Sequence, residues 1–446
     1  MQSKTDARLL LTILAALFLC ALVPFTLLST FSAAAAADVW LLWLSFLCLL
    51  AGGLCTAWAG NIFGRGHFFC LFALALGGGL LARILLLNAL SADYTDFLQN
   101  WVWQMRALNG TEALRTQIGN YNMPYMYILF FISRLGSFQD LYLIKLFSIV
   151  FDLAAAFAVV YLLRLFCRRA SVLLAAFCGV LFLPTFLLNS AWWAQCDSVY
   201  AALCLWSLYC GLRGKGWACM ALFGAAFAFK LQAVFAVPFL LVLLLIQRIP
   251  WRSVLGAPAV FGACSIPALL CGRSIKDIFG IYFMQVDYYS TLSQNAPGFW
   301  SLFPNEYESS FGYVPLVIAG AAVLGVLFLF LDVLHTMTAR QLCALAFILC
   351  LLTPFMLPKM HERYFYIAEA LSLVYVAGYT RRWYIMAVLQ FCIFTRYSQF
   401  LFGNAFWWPA IQTDAVVIGV LLGTAIYTLY RECTAAPANV FAAAKK

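Results

Sequence analysis

Residues 68–90 read FFCLFALALGGGLLARILLLNAL and run directly into Ser91-Ala92-Asp93-Tyr94-Thr95-Asp96-Phe97-Leu98-Gln99-Asn100-Trp101. A run of 23 residues carrying one cation is long enough to cross the roughly 30 Å hydrocarbon core as a helix. The first long polar segment of the chain begins where this run ends. Asp is costly inside hydrocarbon, so two carboxylates three residues apart at this boundary mark either a plain interface or a site.

The rest of the chain agrees with that first run. Of 446 residues, 65% are hydrophobic and only 10% charged, and the mean hydropathy is +0.93. Ordinary soluble domains carry about 25% charged residues. Lipid must therefore replace a core, and the chain reads as an all-α protein with many membrane-spanning helices. The net charge of +10 is what positively charged cytoplasmic loops produce, and it does not point to nucleic acid. The 16 cysteines lie mostly in apolar runs and have no metal-type C-x-x-C spacing, so they read as small apolar residues.

Taken in order, Lys4 and Arg8 precede a run at 9–31, and a second covers 39–59. Arg65 and His67 lead into the third, which puts Asp93 outside if the amino terminus is cytoplasmic. The segment 91–140 mixes Trp, Phe and Met with amides, as interfacial helices do. Asn109-Gly110 breaks it, and the apolar run after Pro124 has about 12 residues, too few for a span. Further apolar runs extend from Leu141 to Cys271 and from Tyr313 to Phe402, with a last one at 415–430. Arg168-Arg169, Arg213/Lys215, Arg248/Arg252, Arg340 and Arg381-Arg382 fall on one side, and loops poor in cations fall on the other. The expected count is about fourteen spans. Lys230 is expected to separate two crossings, because one continuous helix would bury it at mid-bilayer for about 2.5–3.5 kcal/mol. The expected organisation is two additional N-terminal spans at 1–66 and a catalytic core at 67–271 with its outer loop at 91–140. A second outer loop with donor-side helices comes next at 272–380, then C-terminal spans and a tail at 381–446.

Under this topology four polar clusters share the outer face: Asp93/Asp96, Gln195 with Asp197, Lys230 with Gln232, and Lys359-Met360-His361-Glu362-Arg363. A carboxylate can take the proton of an attacking hydroxyl. Lys, His and Arg can hold a phosphate, Arg through two oxygens. The chemistry suggested is transfer from an anionic, lipid-anchored donor. Each residue also has an ordinary role. Asp93 or Asp96 can cap a helix, Asp197 can end a span beside Trp192 and Trp193, and Lys230 and Arg363 can snorkel. Arg83 can snorkel outward or pair with Asp93. Glu369, a carboxylate within an apolar run, has no evident partner.

The motifs resemble those of the GT-C membrane glycosyltransferases that use polyprenyl-phosphate sugars. The branch they look most like is the bacterial proteins related to GPI mannosyltransferases. They are also similar to the glucosyltransferases that extend dolichol-linked oligosaccharide. The resemblance covers about residues 67–380. It rests on Asp93-Tyr94 with Trp101 downstream and on Asn120-Tyr121-Asn122-Met123-Pro124-Tyr125-Met126-Tyr127, where Met123 replaces a Pro. It also rests on Trp193-Ala194-Gln195-Cys196-Asp197-Ser198 and Phe229-Lys230-Leu231-Gln232. The last two segments are Leu292 to Trp300, with Gly298 in place of Asn, and Pro358-Lys359-Met360-His361-Glu362-Arg363-Tyr364, the most specific of the set.

The resemblance implies an inverting hexosyltransferase, for mannose or glucose, in a bacterial cytoplasmic membrane with its site on the outer face, or in the ER membrane of a eukaryote. Asp93 is then the general base, with Asp96 as the fallback. Lys230, His361, Arg363 and Arg83 are the candidate donor-phosphate ligands. Tyr94, Trp101, Tyr125, Gln195, Asp197, Gln232, Asn295 and Glu362 are the candidates for positioning sugar and acceptor. The expected partners are a polyprenyl-phosphate sugar, the bilayer and a hydroxyl acceptor, without nucleic acid, cofactor or metal. A transporter or flippase for an anionic lipid or solute is the alternative. It would need polar residues along a path between the two faces.

Overall fold

The computed structural model describes residues 34–403 and 408–435, together with 26–32 and scattered positions before them. It is helical almost throughout, as a chain must be when lipid cannot satisfy its backbone. Helices α1 (Ala36–Ala59), α2 (His67–Leu85), α6 (Asp140–Leu163), α14 (Ala339–Met356), α16 (Trp383–Phe402) and α17 (Ile411–Thr434) extend through long apolar runs. Between them lie α3 (Gln99–Ala107), α4 (Gly110–Arg115) and α5 (Met123–Arg134) in the first polar segment. Then come α7 (Ala170–Phe182), α8 (Asp197–Leu212), α9 (Gly216–Phe229), α10 (Val237–Leu245), α11 (Gly256–Leu270), α12 (Ile275–Asp287), α13 (Val314–Phe330) and α15 (Tyr366–Gly378).

Among the described residues seven helices are long and apolar enough to cross a membrane, or up to nine if each of two bent pairs is one span. The chain is thus a multi-pass membrane protein, but among the described residues the number of such helices falls short of the fourteen spans expected. Two reasons are physical. Several apolar runs fold into helices of 9–16 residues, only about 14–24 Å long at 1.5 Å per residue. The run at 171–188 breaks at Leu183-Pro184 and bends by 46°, because Pro184 has no N–H to continue the helix. A third reason is coverage: the expected first span at 9–31 lies largely outside the described residues.

Some breaks fall where they are expected, although neither α9 nor α10, on either side of Lys230, is among the helices long enough to cross by itself. Helix α9 ends at Phe229, and Lys230 is extended (φ −152°, ψ 134°), so no single helix carries this lysine through the bundle. Asn109-Gly110 does separate α3 from α4, and the short apolar run after Asn122 is the 12-residue α5.

Helices α6, α8, α14 and α15 pack together as the interior, while α1 and α11 are mostly exposed along their length. Close approach between helices relies on small residues. A Cβ on Gly224 of α9 would lie 2.4 Å from the carbonyl oxygen of Ala257 on α11.

Candidate active site

The first polar segment and the stretch between α7 and α8 build one wall of the site. Ser91 donates to the carbonyl of Trp193 (2.6 Å) and accepts the Tyr94 N–H (3.2 Å). This fixes the start of the segment against residues a hundred positions later. Asp93 Oδ2 then accepts from the Trp193 indole N–H (2.9 Å) and from the Gln195 amide. Gln195 in turn accepts from the Tyr121 hydroxyl (3.1 Å).

The second wall comes from two segments distant in sequence. Strand β1 (Ser293–Gln294) pairs in parallel with β2 (Met360–His361), Ser293 opposite Met360. The Lys359 N–H donates to the Leu292 carbonyl (2.8 Å), and the Trp300 indole donates to the Met356 carbonyl (2.6 Å). Gly298, where the resembled families have Asn, lies against α14: a Cβ there would come within 2.9 Å of the Phe355 carbonyl oxygen. The 292–300 segment is thus a brace that sets the conformation of residues 359–363.

Arg363 joins the two walls. Its guanidinium lies 3.8 Å from Asp93 Oδ2 and 3.5 Å from Asp197 Oδ2, and its plane sits 5.1 Å from the Trp193 ring centre. Asp197, fully buried, holds Lys230 through its other oxygen. The Lys230 ammonium also faces the Tyr121 ring at 5.4 Å. Two carboxylates and two cations therefore alternate across the end of the bundle in a largely desolvated setting, where charge interactions are strong. A cavity of about 620 Å³ opens on the cation side. Lys230, Gln232, Gln285, Lys359 and Arg363 supply its polar surface, and Phe235, Leu316 and Leu357 its apolar one.

Asp93 is partly exposed (side chain 21%), and among the described residues no hydrogen bond is made to its Oδ1. One oxygen is therefore locked and the other is open. Asp96 does not join it. It is exposed, its carboxylate accepts only from the neighbouring Thr95 hydroxyl (3.1 Å), and the helix is a π-turn at Tyr94–Leu98. The wider turn carries position 96 away from the face of Asp93.

Several expected positions have other surroundings. Arg83 is buried and pairs with Asp152 (2.8 Å), not with Asp93, and it also donates to the Leu181 carbonyl (2.7 Å). It lies in the interior, away from the cavity. Asp152 further accepts from Ser190 (2.6 Å) and Tyr366 (3.2 Å), which explains how an intramembrane carboxylate is accommodated. Tyr94 is buried toward Asp140 and Arg106. Trp101 packs on Tyr121 (5.6 Å), and Tyr125 fills the space between Tyr121 and Phe229. Asn295 donates to the Arg396 carbonyl (3.3 Å) and faces a second, smaller pocket. Gln232 does line the cavity, and its Oε1 is buried without a hydrogen-bond partner. Glu369 accepts from Thr185.

His361 lies between the rings of Tyr289 (4.8 Å) and Tyr364 (5.2 Å). Burial, with Arg363 and Lys230 nearby, pushes its pKa well below the usual range. The shift favours the neutral imidazole, which can donate a hydrogen bond but supplies no charge. Glu362 is raised to about 7, burial outweighing the adjacent Arg363. Among the described residues no three His, Cys, Asp or Glu side chains converge as metal ligands would.

Sequence reasoning named Trp193 and Tyr121 only as parts of motifs, yet each bonds a site residue directly. Their adjacency to Gln195 and to Asn120-Asn122 was the available signal. Asn189, which donates to Asp197 (2.9 Å), gave none.

A search of curated proteins found no match to this chain. The sequence profile of glycosyltransferase family 87 matches residues 121–358. That stretch contains Tyr121, Gln195, Asp197, Lys230 and Gln232, and it ends just before the segment that bears His361 and Arg363. With more than half of its length matched, and with its polar residues gathered around one cavity at the end of a membrane bundle, the chain belongs to glycosyltransferase family 87.

Proposed function

We propose that this glycosyltransferase moves a hexose, mannose or glucose, from a polyprenyl-phosphate donor to a hydroxyl acceptor on the outer face of the membrane, with inversion, as a GT-C-type enzyme. The observation that carries this reading is the placement of Arg363. It stands between Asp93, whose second oxygen is open, and the cavity that holds Lys230.

In this reading Asp93 Oδ1 takes the proton of the acceptor hydroxyl as its oxygen attacks the anomeric carbon from the side opposite the phosphate. The bond from that carbon to the phosphate oxygen breaks, and polyprenyl phosphate leaves. A phosphodiester carries one negative charge and the departing monoester up to two. The negative charge thus grows on the phosphate during reaction, and Arg363 and Lys230 act where it grows. Asp197 keeps both cations charged and in place. Gln232 offers its amide to sugar hydroxyls, and Gln285, whose NH₂ donates to the Asn120 carbonyl and to Asn122 Oδ1, offers its carbonyl oxygen. Phe235, Leu316 and Leu357 give the isoprenoid chain an apolar wall.

The test is transfer in proteoliposomes with labelled polyprenyl-phosphate mannose and glucose. Transfer from either supports the reading. Turnover with nucleotide or diphosphate-linked sugars alone refutes it. Single cysteines at 109 and 295 should react with an impermeant reagent in intact cells, and those at 213 and 381 should not. The opposite pattern puts the site on the cytoplasmic side.

A further inference from the structure

Asp197 is a fully buried carboxylate shared between two cations, so its orientation decides where both of them sit. Oδ1 accepts from Lys230, and Oδ2 faces Arg363 at 3.5 Å. A third group sets the balance. The Asn189 amide donates to Oδ2 at 2.9 Å, and it does so from a π-turn at Leu188–Trp192. The Asn189 carbonyl accepts the Gln195 N–H at 2.9 Å. One residue therefore fixes both the carboxylate that holds the cations and the amide that grips Asp93.

The amide is itself held. It also faces the Tyr397 hydroxyl at 3.3 Å, and the Tyr397 ring packs edge-on against Trp193 (5.4 Å, 89°), the indole that donates to Asp93. Tyr397 belongs to α16, well beyond the stretch matched by the family profile. Asn189 Oδ1 is buried and, among the described residues, has no hydrogen-bond partner. A buried unsatisfied acceptor is destabilising, and it is offset by the N–H bonds that the same amide gives to Asp197 and Tyr397. The asparagine is thus held here for its donor groups, and the one that reaches the charged cluster is the bond to Asp197.

We propose that Asn189, held by Tyr397, is a positioning residue for the transfer reaction: it orients Asp197 so that Lys230 and Arg363 are preset for the donor phosphate. This rests on the donor reading given above. Neither residue touches the cavity, so their effect passes through Asp197.

The experiment is a double-mutant cycle with Asn189→Leu, Tyr397→Phe and the pair, each checked for thermal stability and assayed for donor and acceptor KM and for kcat. Removing a hydrogen bond to a charged group lowers transfer by ~10- to 150-fold. Asn189→Leu should show that loss in kcat/KM for donor with acceptor KM unchanged; it leaves the buried Asp197 Oδ2 one donor short, so its unfolding midpoint should fall as well, and kinetics are compared below that midpoint. Tyr397→Phe should lose only a few-fold, and the double variant should be no worse than Asn189→Leu, because one residue acts through the other. A well-folded Asn189→Leu with wild-type donor kinetics overturns the proposal, and so do strictly additive losses. If the wild type proves to use a different donor, the donor reading falls. The same cycle run on kcat/KM with that donor still decides the role of Asn189.

Discussion

Replacing Asp93 by Asn tests the reaction at its smallest change of shape. The Asn oxygen can occupy the position of Oδ2 and keep the hydrogen bonds from Trp193 and Gln195. Its NH₂ then takes the place of the open Oδ1. The folded protein loses one ion pair with Arg363 at 3.8 Å, made by a partly exposed carboxylate. Arg363 keeps its second carboxylate, Asp197, at 3.5 Å, so its charge is not left unpaired, and the unfolding midpoint should move far less than the ~3–5 kcal/mol that breaking a sole buried pair costs. The reaction loses its proton acceptor. A positioned base contributes ~10²–10⁴-fold, which is about 2.7–5.4 kcal/mol of barrier at 1.36 kcal/mol per tenfold. With donor and acceptor at saturation, Asp93→Asn should therefore lose transfer by that factor while still binding donor. Asp96→Asn, which alters an exposed side chain bonded only to Thr95, should lose less than about tenfold on the same scale. A folded Asp93→Asn protein with near wild-type kcat would refute the assignment of the base. An inactive Asp96→Asn beside an active Asp93→Asn would mean that the loop is right and the carboxylate wrong.

Arg363→Ala should weaken donor binding by ~10- to 150-fold, the equivalent of a lost charge-assisted hydrogen bond, and leave acceptor KM in place; Arg363→Lys should recover only part of this, since Lys lacks the planar fork. Unchanged donor affinity in a folded Arg363→Ala protein removes Arg363 from the phosphate site. Lys230→Met leaves Asp197 buried with one cation fewer, which should cost about 3 kcal/mol; adding Asp197→Asn should restore most of the stability but none of the donor binding, as read by denaturation and by binding. Glu362 is raised from its unfolded value to about 7 by burial, so the folded state holds its proton more tightly than the unfolded chain. Its contribution is full below the unfolded pKa, near 4.5, and is lost as pH climbs toward 7. The wild-type unfolding midpoint should fall across that window by an amount missing in Glu362→Gln, and identical pH profiles would show that Glu362 ionises normally.

Composition and the long apolar runs already read as a helical membrane protein, because 10% charged residues cannot clothe a soluble surface and runs of about 20 apolar residues suit spanning helices. Sequence also located the break at Lys230 through the cost of burying a charge, and it marked Asp93, Gln195, Asp197, Lys230 and Arg363, which the fold brings into one cluster. Motif order was enough for this, because each residue sits at the end of a helix and those ends gather at one end of the bundle. Tertiary structure alone decided the rest. The fold set where each apolar run breaks, as at Leu183-Pro184, since an apolar run does not say where its helix stops. Arg83 found Asp152, 69 positions away, a pairing that local sequence cannot encode. A π-turn, invisible in residue periodicity, separated Asp93 from Asp96. Asn189 and Tyr397 gained their place only when α16 packed beside the turn after α7, because a hydrogen bond to a buried carboxylate depends on where two distant backbones are brought together.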